Sequence, residues 1–201
     1  MTAADDAKAV EGVVRKARES AVTIEKFFAE NATRIVSCAR AMSDAFDRGA
    51  RLYVFGNGGS ACDAQHLAVE FMHPVIEKRA TFPAVDLSAN SASMSAIGND
   101  QDFALAFSQP LRAYGRAGDI ALGLSTSGRS ANVLRALQAA RELSMLTIGF
   151  AGRDGGKMPA LCDHAFVVPS YSIHRIQEVH ATLVHILWDT LQVMRGEEDV
   201  L

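Results

Sequence analysis

From residue 51 onward the chain alternates between short apolar segments and amphipathic ones, and this alternation constrains the fold more than any other feature. The predicted strands are Arg51–Phe55, Pro83–Leu87, Asp119–Leu124, Leu146–Phe150 and Ala165–Val168. The predicted helices are Ser60–Phe71, Ala89–Ile97, Ser130–Leu143 and His174–Met194. Strands that are apolar along nearly their whole length are typical of a parallel sheet covered on both faces. We therefore expect an α/β protein, a three-layer α/β/α sandwich around a five-stranded parallel sheet.

The first 49 residues have helical rather than strand periodicity. Apolar residues recur at helical spacing from about Ala7 to Arg48, and Asn31-Ala32-Thr33 is predicted to separate two helices. This stretch carries no motif, so its role is packing, either on the domain or on a neighbouring subunit. A long amphipathic arm favours the neighbouring subunit. No linker divides the chain, and we expect residues 1–201 to form a single domain whose N-terminal helices, 1–49, are used in oligomerisation.

Composition excludes several classes of function. The net charge is −3, which is not the basic surface of a nucleic-acid or membrane-binding protein. No uncharged apolar run approaches the ~20 residues that span a bilayer, and the acidic N-terminus is not a secretory signal. Three widely spaced cysteines, Cys38, Cys62 and Cys162, match no metal or disulfide spacing. They are predicted to be reduced, mostly buried thiols of a cytoplasmic protein.

Two similar loops each follow a predicted strand and lead into a predicted helix. One is Gly56-Asn57-Gly58-Gly59-Ser60, and the other is Ser125-Thr126-Ser127-Gly128-Arg129-Ser130. A strand, a Gly/Ser-rich turn and a helix N-terminus together make a cradle for anions, because backbone N–H groups and hydroxyls point at the ligand. Two such loops in one small domain indicate a phosphorylated small molecule.

The two loops differ in specificity. The glycine loop lacks the Gly-Lys-Ser/Thr ending of nucleotide-binding P-loops and can also be a purely structural turn. The second loop has four hydroxyls within six residues, more than the one that a helix N-cap requires, which favours a phosphate site. Arg129 either adds charge to that site or is simply exposed.

Candidate catalytic side chains lie on two predicted helices. His66 and Glu70 are four residues apart and therefore share a helix face, although the same spacing also suits an ordinary surface pair. Gln177 and His185, on the last helix, are eight residues apart, so their directions differ by about 80°. These four side chains offer N and O ligands suited to zinc, and also a carboxylate and an imidazole for proton transfer.

Two further segments leave alternatives open. Gly98-Asn99-Asp100 either places Asn99 and Asp100 on a ligand hydroxyl or makes a turn. Residues 152–156, Gly-Arg-Asp-Gly-Gly, either close over the site or form a turn that needs positive φ.

These motifs, in this order, resemble the SIS-domain phosphoheptose isomerase family. The resemblance spans about residues 50–195 and rests on several motifs: Gly56 to His66, Glu70, Gly98-Asn99-Asp100, Ser125-Thr126-Ser127-Gly128 with Ser130, Gly152 to Gly156, and Arg175-Ile176-Gln177-Glu178 with His185.

The resemblance implies a flavodoxin-like SIS domain in a homotetramer with active sites between subunits. It implies conversion of sedoheptulose 7-phosphate to D-glycero-D-manno-heptose 7-phosphate through an enediol, the first step of ADP- or GDP-heptose synthesis for surface polysaccharide. Glu70 is the implied base and His185 its acid/base partner. One Zn²⁺ per subunit is the implied cofactor, held by His66, Glu70, Gln177 and His185.

The resemblance also implies a division of labour between the loops. Ser125, Ser127 and Ser130 hold the phosphate, while Asn57 and Ser60 lie beside the sugar and the glycine loop launches the helix that carries His66 and Glu70. The full set of implied substrate-binding residues is Asn57, Gly58, Gly59, Ser60, Asn99, Asp100, Ser125, Thr126, Ser127, Ser130 and Gln177.

The chain departs from the family pattern at two places. Residues Phe71–Arg79 replace a stretch that commonly contains glycine and a basic residue, and Arg129 stands where asparagine is usual. Both departures bear on the identity of the sugar more than on the isomerase chemistry.

Two other functions compete with this one. One is isomerisation of another sugar phosphate, such as a hexulose 6-phosphate. The other is a non-catalytic SIS protein that binds the replication initiator, which predicts loss of the histidine and glutamate at positions 66 and 70, yet both are present.

Overall fold

The computed structural model describes residues 3–75 and 79–199, which form six α-helices and five β-strands. In chain order they are α1 (Ala3–Asp47), β1 (Leu52–Gly56), α2 (Gly59–Met72), β2 (Ala84–Asp86), α3 (Ser91–Asp100), α4 (Ser108–Tyr114), β3 (Ile120–Ser125), α5 (Ala131–Glu142), β4 (Leu146–Gly152), β5 (His164–Val168) and α6 (Ile173–Met194). Short 3-10 helices cover Phe103–Leu105 and Pro159–Leu161.

All five strands are parallel, in the order β2-β1-β3-β4-β5. Successive side chains along each strand point to opposite faces of the sheet, so the core is divided into two clusters, one on each face. Val54 and Leu122 belong to the cluster covered by α1, α2 and α6, and Tyr53 and Ala121 to the one covered by α4 and α5. The predicted three-layer α/β/α sandwich is confirmed.

The predicted break in the N-terminal arm is wrong, because α1 is one continuous helix of 45 residues. Asn31 does not compete with the helix: its amide Nδ2 donates to the carbonyl of Phe27, 2.9 Å away, and its Oδ1 accepts from Arg34. Both polar ends of this buried side chain are thus satisfied inside a helical backbone.

Other predictions need smaller corrections. The segment Gly98-Asn99-Asp100 is the last turn of α3 rather than a separate turn, and α4 was not predicted. Of the three thiols, which are all free, only Cys38 is buried, whereas Cys62 is exposed and Cys162 is half-buried. The departure at Phe71–Arg79 lies partly outside the described residues, at positions 76–78. Within the described ranges, no helix is both long and apolar enough to cross a membrane.

Candidate active site

The two predicted ligand loops lie side by side at the carboxyl edge of the sheet. β1 and β3 are neighbours, and Gly56 is in register with Leu124 at the ends of these strands. β1 leads on to β2 on one side of the sheet, whereas β3 leads on to β4 on the other, so the chain changes direction between these two strands. Ligands of open parallel sheets bind at such a switch point, and both loops border it.

Three of the predicted catalytic side chains converge where α2 packs beside α6. Nε2 of His66 lies 3.2 Å from Oε1 of Glu70, and Nε2 of His185 lies 3.1 Å from Nε2 of His66. One ligand atom from each residue lies within 4.8 Å of the other two. The helix contact that the sequence left open is therefore present, and it brings a carboxylate and two imidazoles to one point.

This cluster fits a divalent cation such as zinc. Its donor set is two imidazole nitrogens and one carboxylate oxygen, the ligand types and number that catalytic zinc sites use. The facing Nε2 atoms of His66 and His185 can share at most one hydrogen when both rings are neutral, so lone pairs are directed into the space between the three groups.

Gln177 lies nearer the start of both helices. A Cβ placed on Gly59 would lie 3.0 Å from the amide carbon of Gln177, so the amide packs directly on the first residue of α2. Gln177 precedes His185 by eight residues, which is ~12 Å along α6. The amide thus borders the glycine loop, and its membership of the metal set stays a prediction.

The glycine loop is fixed by residues that the sequence did not single out. The amides of Asn57 and Asn132 exchange two hydrogen bonds, at 2.9 and 2.8 Å, and Asn132 is 3% exposed. The hydroxyl of Ser88 bonds both the N–H and the carbonyl of Gly56. Local sequence offered no signal for Asn132, because its partner Asn57 lies 75 residues away in the chain.

The remaining predicted residues of this loop take part in the turn itself. Gly58 has φ +54°, which favours glycine, and Ser60 is buried, with its N–H donating to the carbonyl of Asn57. Gly59 begins α2.

The hydroxyl loop has more hydroxyl groups than its own hydrogen bonds use. Ser125 is buried at the end of β3, and its Oγ lies 2.9 Å from Oγ of Ser130. Ser130 is the N-cap of α5, yet its side chain makes no capping hydrogen bond. Ser127 accepts a hydrogen bond from the N–H of Arg129, and Thr126 is half-buried beside it. The excess of hydroxyls over capping needs is thus real.

The loop after β4 packs against the hydroxyl loop. Gly128, at φ +61°, lies against the backbone of Gly155 and Gly156, and the N–H of Lys157 donates to its carbonyl at 3.0 Å. Arg153, Gly155 and Gly156 all have positive φ, so residues 152–156 form the predicted turn. Across it, Arg129 pairs with Asp154 at 2.5 Å.

Asn99 and Asp100 are the last two residues of α3. Both are exposed at the end of α3, and the amide of Asn99 donates to Asp100 at 2.7 Å. Their substrate-binding role stays a prediction.

Two buried titratable groups flank the cluster. Burial raises the pKa of Asp63, one turn before His66 on α2, to about 6, and its Oδ2 has no hydrogen-bond partner among the described residues. Burial lowers the pKa of His180, on α6, to about 4, although a hydrogen bond with the carbonyl of Ala151 opposes the shift. Of the two groups, the His180 ring is therefore neutral near pH 7, whereas the Asp63 carboxyl takes up a proton only as the pH falls towards 6.

Comparison with known proteins agrees with this geometry. Residues 17–152 match the SIS domain family. A phosphoheptose isomerase of Desulfovibrio desulfuricans is 46% identical over 179 residues, which make up 89% of this chain and 85% of that protein. One of Aquifex aeolicus is 40% identical over 185 residues, covering 92% of this chain and 97% of that protein.

A solved structure extends the agreement to the fold. The phosphoheptose isomerase of Neisseria gonorrhoeae superposes with a TM-score of 0.86 at 37% identity, covering 92% of this chain and 99% of that chain. Fold and site together define a SIS-domain isomerase that acts on a sugar phosphate. Within that class, the chain belongs to the phosphoheptose isomerase family.

Proposed function

We propose that the protein converts sedoheptulose 7-phosphate to D-glycero-D-manno-heptose 7-phosphate, in the cytoplasm, as the first step of ADP- or GDP-heptose synthesis for lipopolysaccharide. The observation that carries this proposal is the convergence of His66, Glu70 and His185 beside two loops that suit a sugar phosphate. The names of the relatives support the heptose as the sugar.

The reaction needs a base at carbon and an acid/base at oxygen. In a 2-ketose phosphate the base removes a proton from C1, an enediol forms, and a proton returns at C2 while another moves from O1 to O2. Glu70, whose side chain is 15% exposed, serves as the base because it is shielded from water yet reaches the cleft. His185 is the more exposed partner and exchanges the proton between the two oxygens.

A zinc ion fits the same residues as ligands. His66, Glu70, Gln177 and His185 would hold one Zn²⁺ per subunit. The ion would stabilise negative charge on the enediolate oxygens. Oε1 of Glu70 faces His66, so the two oxygens of this carboxylate can divide the ligand and base roles.

The substrate phosphate belongs in the hydroxyl loop. Ser125, Ser127 and Ser130 supply hydroxyls, and the N-terminus of the 12-residue helix α5 supplies N–H groups and a favourable dipole. The glycine loop, with Asn57 and Ser60, then lies beside the carbon chain. This arrangement places the reacting carbons toward α2 and α6.

The proposal includes a homotetramer with active sites between subunits. Support comes from the exposed apolar side chains of α1, where Val10 and Val13 are 64% and 69% exposed. Such a face needs a partner to remove it from water.

Isomerisation of sedoheptulose 7-phosphate, with and without a zinc chelator, tests this function. Glu70→Gln and His185→Ala should each lower kcat at least a hundredfold while the fold, followed by circular dichroism, is retained. His174→Ala, which removes an exposed histidine at the start of α6, is the matched control and should leave kcat unchanged.

Each alternative has its own result in this experiment. Wild-type turnover in both variants would refute the acid and base roles. Turnover of another sugar phosphate alone would reassign the substrate, and no turnover together with binding of the replication initiator would identify a scaffold protein. If the chelator left kcat unchanged, zinc would have no role in the reaction.

A further inference from the structure

Arg129 and Asp154 form an ion pair at the mouth of the hydroxyl loop. Nη2 of Arg129 lies 2.5 Å from Oδ2 of Asp154, and the two side chains are 56% and 53% exposed. Arg129 precedes the N-cap Ser130, and Asp154 lies in the turn after β4. The pair therefore joins the loops that end two neighbouring strands, within the site of the proposed phosphate.

The ion pair is not needed to hold these loops together. Gly128 already packs on the backbone of Gly155 and Gly156, and the N–H of Lys157 donates to the carbonyl of Gly128. An exposed ion pair contributes about 0–1 kcal/mol to stability. Its position at a ligand site therefore calls for a different explanation.

The pair leaves Arg129 with donors to spare. A guanidinium carries five N–H donors in a planar fork, and Asp154 accepts from Nη2. Asp154 is itself anchored, because its Oδ1 accepts from the N–H of Gly156 at 3.2 Å. The stem of Arg129 runs across Gly156, where a Cβ would lie 2.7 Å from Cγ of the arginine. Asp154 thus holds a partly free cation at the loop.

The hydroxyl loop, residues 125–130, has one charged side chain, that of Arg129. Its other donors are neutral hydroxyls, backbone N–H groups and the end of α5, whereas the substrate phosphate is a dianion near neutral pH. Arginine binds phosphate through two parallel N–H···O bonds, which are stronger than bonds from neutral donors. Asparagine, usual at this position in the family that the sequence resembles, has no such charge.

We propose that Arg129 binds the phosphate of the substrate, exchanging or sharing its contact with Asp154. The proposal rests on the sugar-phosphate function proposed above. In the absence of substrate, Asp154 keeps the guanidinium at the loop. When the substrate phosphate enters, it competes with the Asp154 carboxylate for the N–H donors of Arg129. Its two negative charges attract the guanidinium more strongly than the single charge of Asp154.

The test compares four proteins, the wild type, Arg129→Asn, Asp154→Asn and Arg112→Gln. Arg112 pairs with Glu142, at the end of α5 that is remote from the hydroxyl loop, and both partners are about as exposed as the Arg129 pair. Arg112→Gln therefore removes an equivalent exposed ion pair and the same charge. The measurements are KM and kcat for sedoheptulose 7-phosphate and the affinity for inorganic phosphate by calorimetry.

We expect Arg129→Asn to raise KM about tenfold or more, to weaken phosphate binding by a similar factor and to change kcat less than threefold. Asp154→Asn should leave KM unchanged or lower it, because it removes a competitor for the guanidinium. Arg112→Gln should match the wild type. The rise of KM with salt should be shallower in Arg129→Asn.

Unchanged KM and phosphate affinity in Arg129→Asn would overturn the proposal, as would an equal effect of Arg112→Gln. If Asp154→Asn raised KM as much as Arg129→Asn, the ion pair would act by holding the two loops together, and the proposal would also be overturned. If the wild type did not isomerise sedoheptulose 7-phosphate but Arg129→Asn still weakened phosphate binding, the proposed substrate would fail and the role of Arg129 would stand.

Discussion

His180 shows how a single polar residue can be buried beside a catalytic cluster without carrying charge. It is fully buried on α6, its ring packs near Phe150 at 5.7 Å, and Nε2 lies 3.1 Å from the carbonyl of Ala151. A carbonyl only accepts, so Nε2 carries the hydrogen and the neutral ring donates. The bond ties α6 to the end of β4, next to the turn that supports the hydroxyl loop.

Stability should therefore fall as the pH is lowered through the range in which only the unfolded His180 is protonated. Its pKa is about 4 in the folded protein against 6.5 as the ordinary value, so between these values the unfolded chain binds more protons and ΔG of unfolding rises with pH. From pH 7 to pH 5 this group should remove about 2 kcal/mol. Urea unfolding of the wild type and of His180→Leu at both pH values measures the effect as a difference.

The difference between the two proteins is the relevant quantity because other groups also titrate. Asp63, with a pKa raised to about 6, acts in the opposite direction over the same window in both proteins. We expect His180→Leu to be about 1 kcal/mol less stable at pH 7, from the lost hydrogen bond, and to lose less stability than the wild type at pH 5. His174→Gln, at an exposed position, should follow the wild type. Parallel losses in all three proteins would contradict the assignment.

At the scale of elements, the contact between the hydroxyl loop and the turn after β4 depends on a missing side chain at Gly128. Its φ of +61° is costly for other residues, and a Cβ there would overlap the carbonyl of Gly155. Gly128→Ala should therefore lower the free energy of unfolding by roughly 2–4 kcal/mol and raise KM, because the loop that carries Ser127 and Ser130 must move. Thermal or urea unfolding and steady-state kinetics measure the two effects.

Gly118→Ala is the matched control for this substitution. Gly118 has φ +88°, but a Cβ there would meet nothing within 4 Å. Gly118→Ala should lower the free energy of unfolding by roughly 1–2 kcal/mol, the cost of a positive φ for a residue other than glycine. KM should be unchanged, because Gly118 precedes β3 and lies at the opposite edge of the sheet from the site. Equal losses in the two variants would show that backbone conformation alone, and not the contact with Gly155, accounts for the effect.

Elements of this fold were predictable where a local pattern decided them. All five predicted strands are present, with ends shifted by at most two residues, because each is an apolar run bounded by polar or glycine residues. The break in α1 was wrong because the side chain of Asn31 bonds the carbonyl of Phe27 one turn earlier in the same helix, so its polar groups are satisfied without ending the helix. α4 escaped prediction because Ser108–Tyr114 spans only seven residues, too short for a helical period to be recognised.

The residues of the site also fall into those that local sequence predicts and those that only tertiary packing brings together. His66 and Glu70 share a helix face by spacing alone, whereas their contact with His185 depends on how α2 packs on α6. Likewise, the hydroxyls of the Ser125–Ser130 loop are visible in the sequence, but Asn132 and Asp154 are recognised only once the loops are placed. Periodicity and composition therefore predict which elements carry the chemistry, and packing decides which side chains meet.

At the scale of the whole molecule, α1 extends well beyond the core that it helps to build. It is ~68 Å long, and its first fully buried side chain is that of Phe27. Its second half contributes Ile35 and Met42 to the core, whereas most of its first half is exposed and includes Val10 and Val14. Arg175 of α6 contacts that half, donating to the carbonyl of Lys16 and to the hydroxyl of Ser20.

The proposed homotetramer predicts that this exposed apolar face is an interface. The double variant Val10→Glu/Val14→Glu places two charges on it, so burying the face would cost several kcal/mol and the assembly should dissociate. The domain itself should stay folded, because its core begins at Phe27. Isomerase activity should fall with the loss of assembly, since the proposed active sites lie between subunits. Sedimentation velocity, circular dichroism and the isomerase assay measure the three quantities separately.

The double variant Lys8→Gln/Arg15→Gln is the charge-matched control. It changes the net charge by the same −2, but away from the apolar face, because Lys8 and Arg15 lie about 100° or more around the helix from Val10, Val13 and Val14. It should keep the mass and the activity of the wild type. If the valine variant also kept both, α1 would not be the interface and its exposed valines would need another partner. If it dissociated but stayed active, the site would be complete within one subunit, which the convergence of His66, Glu70 and His185 in a single chain already makes a concrete alternative.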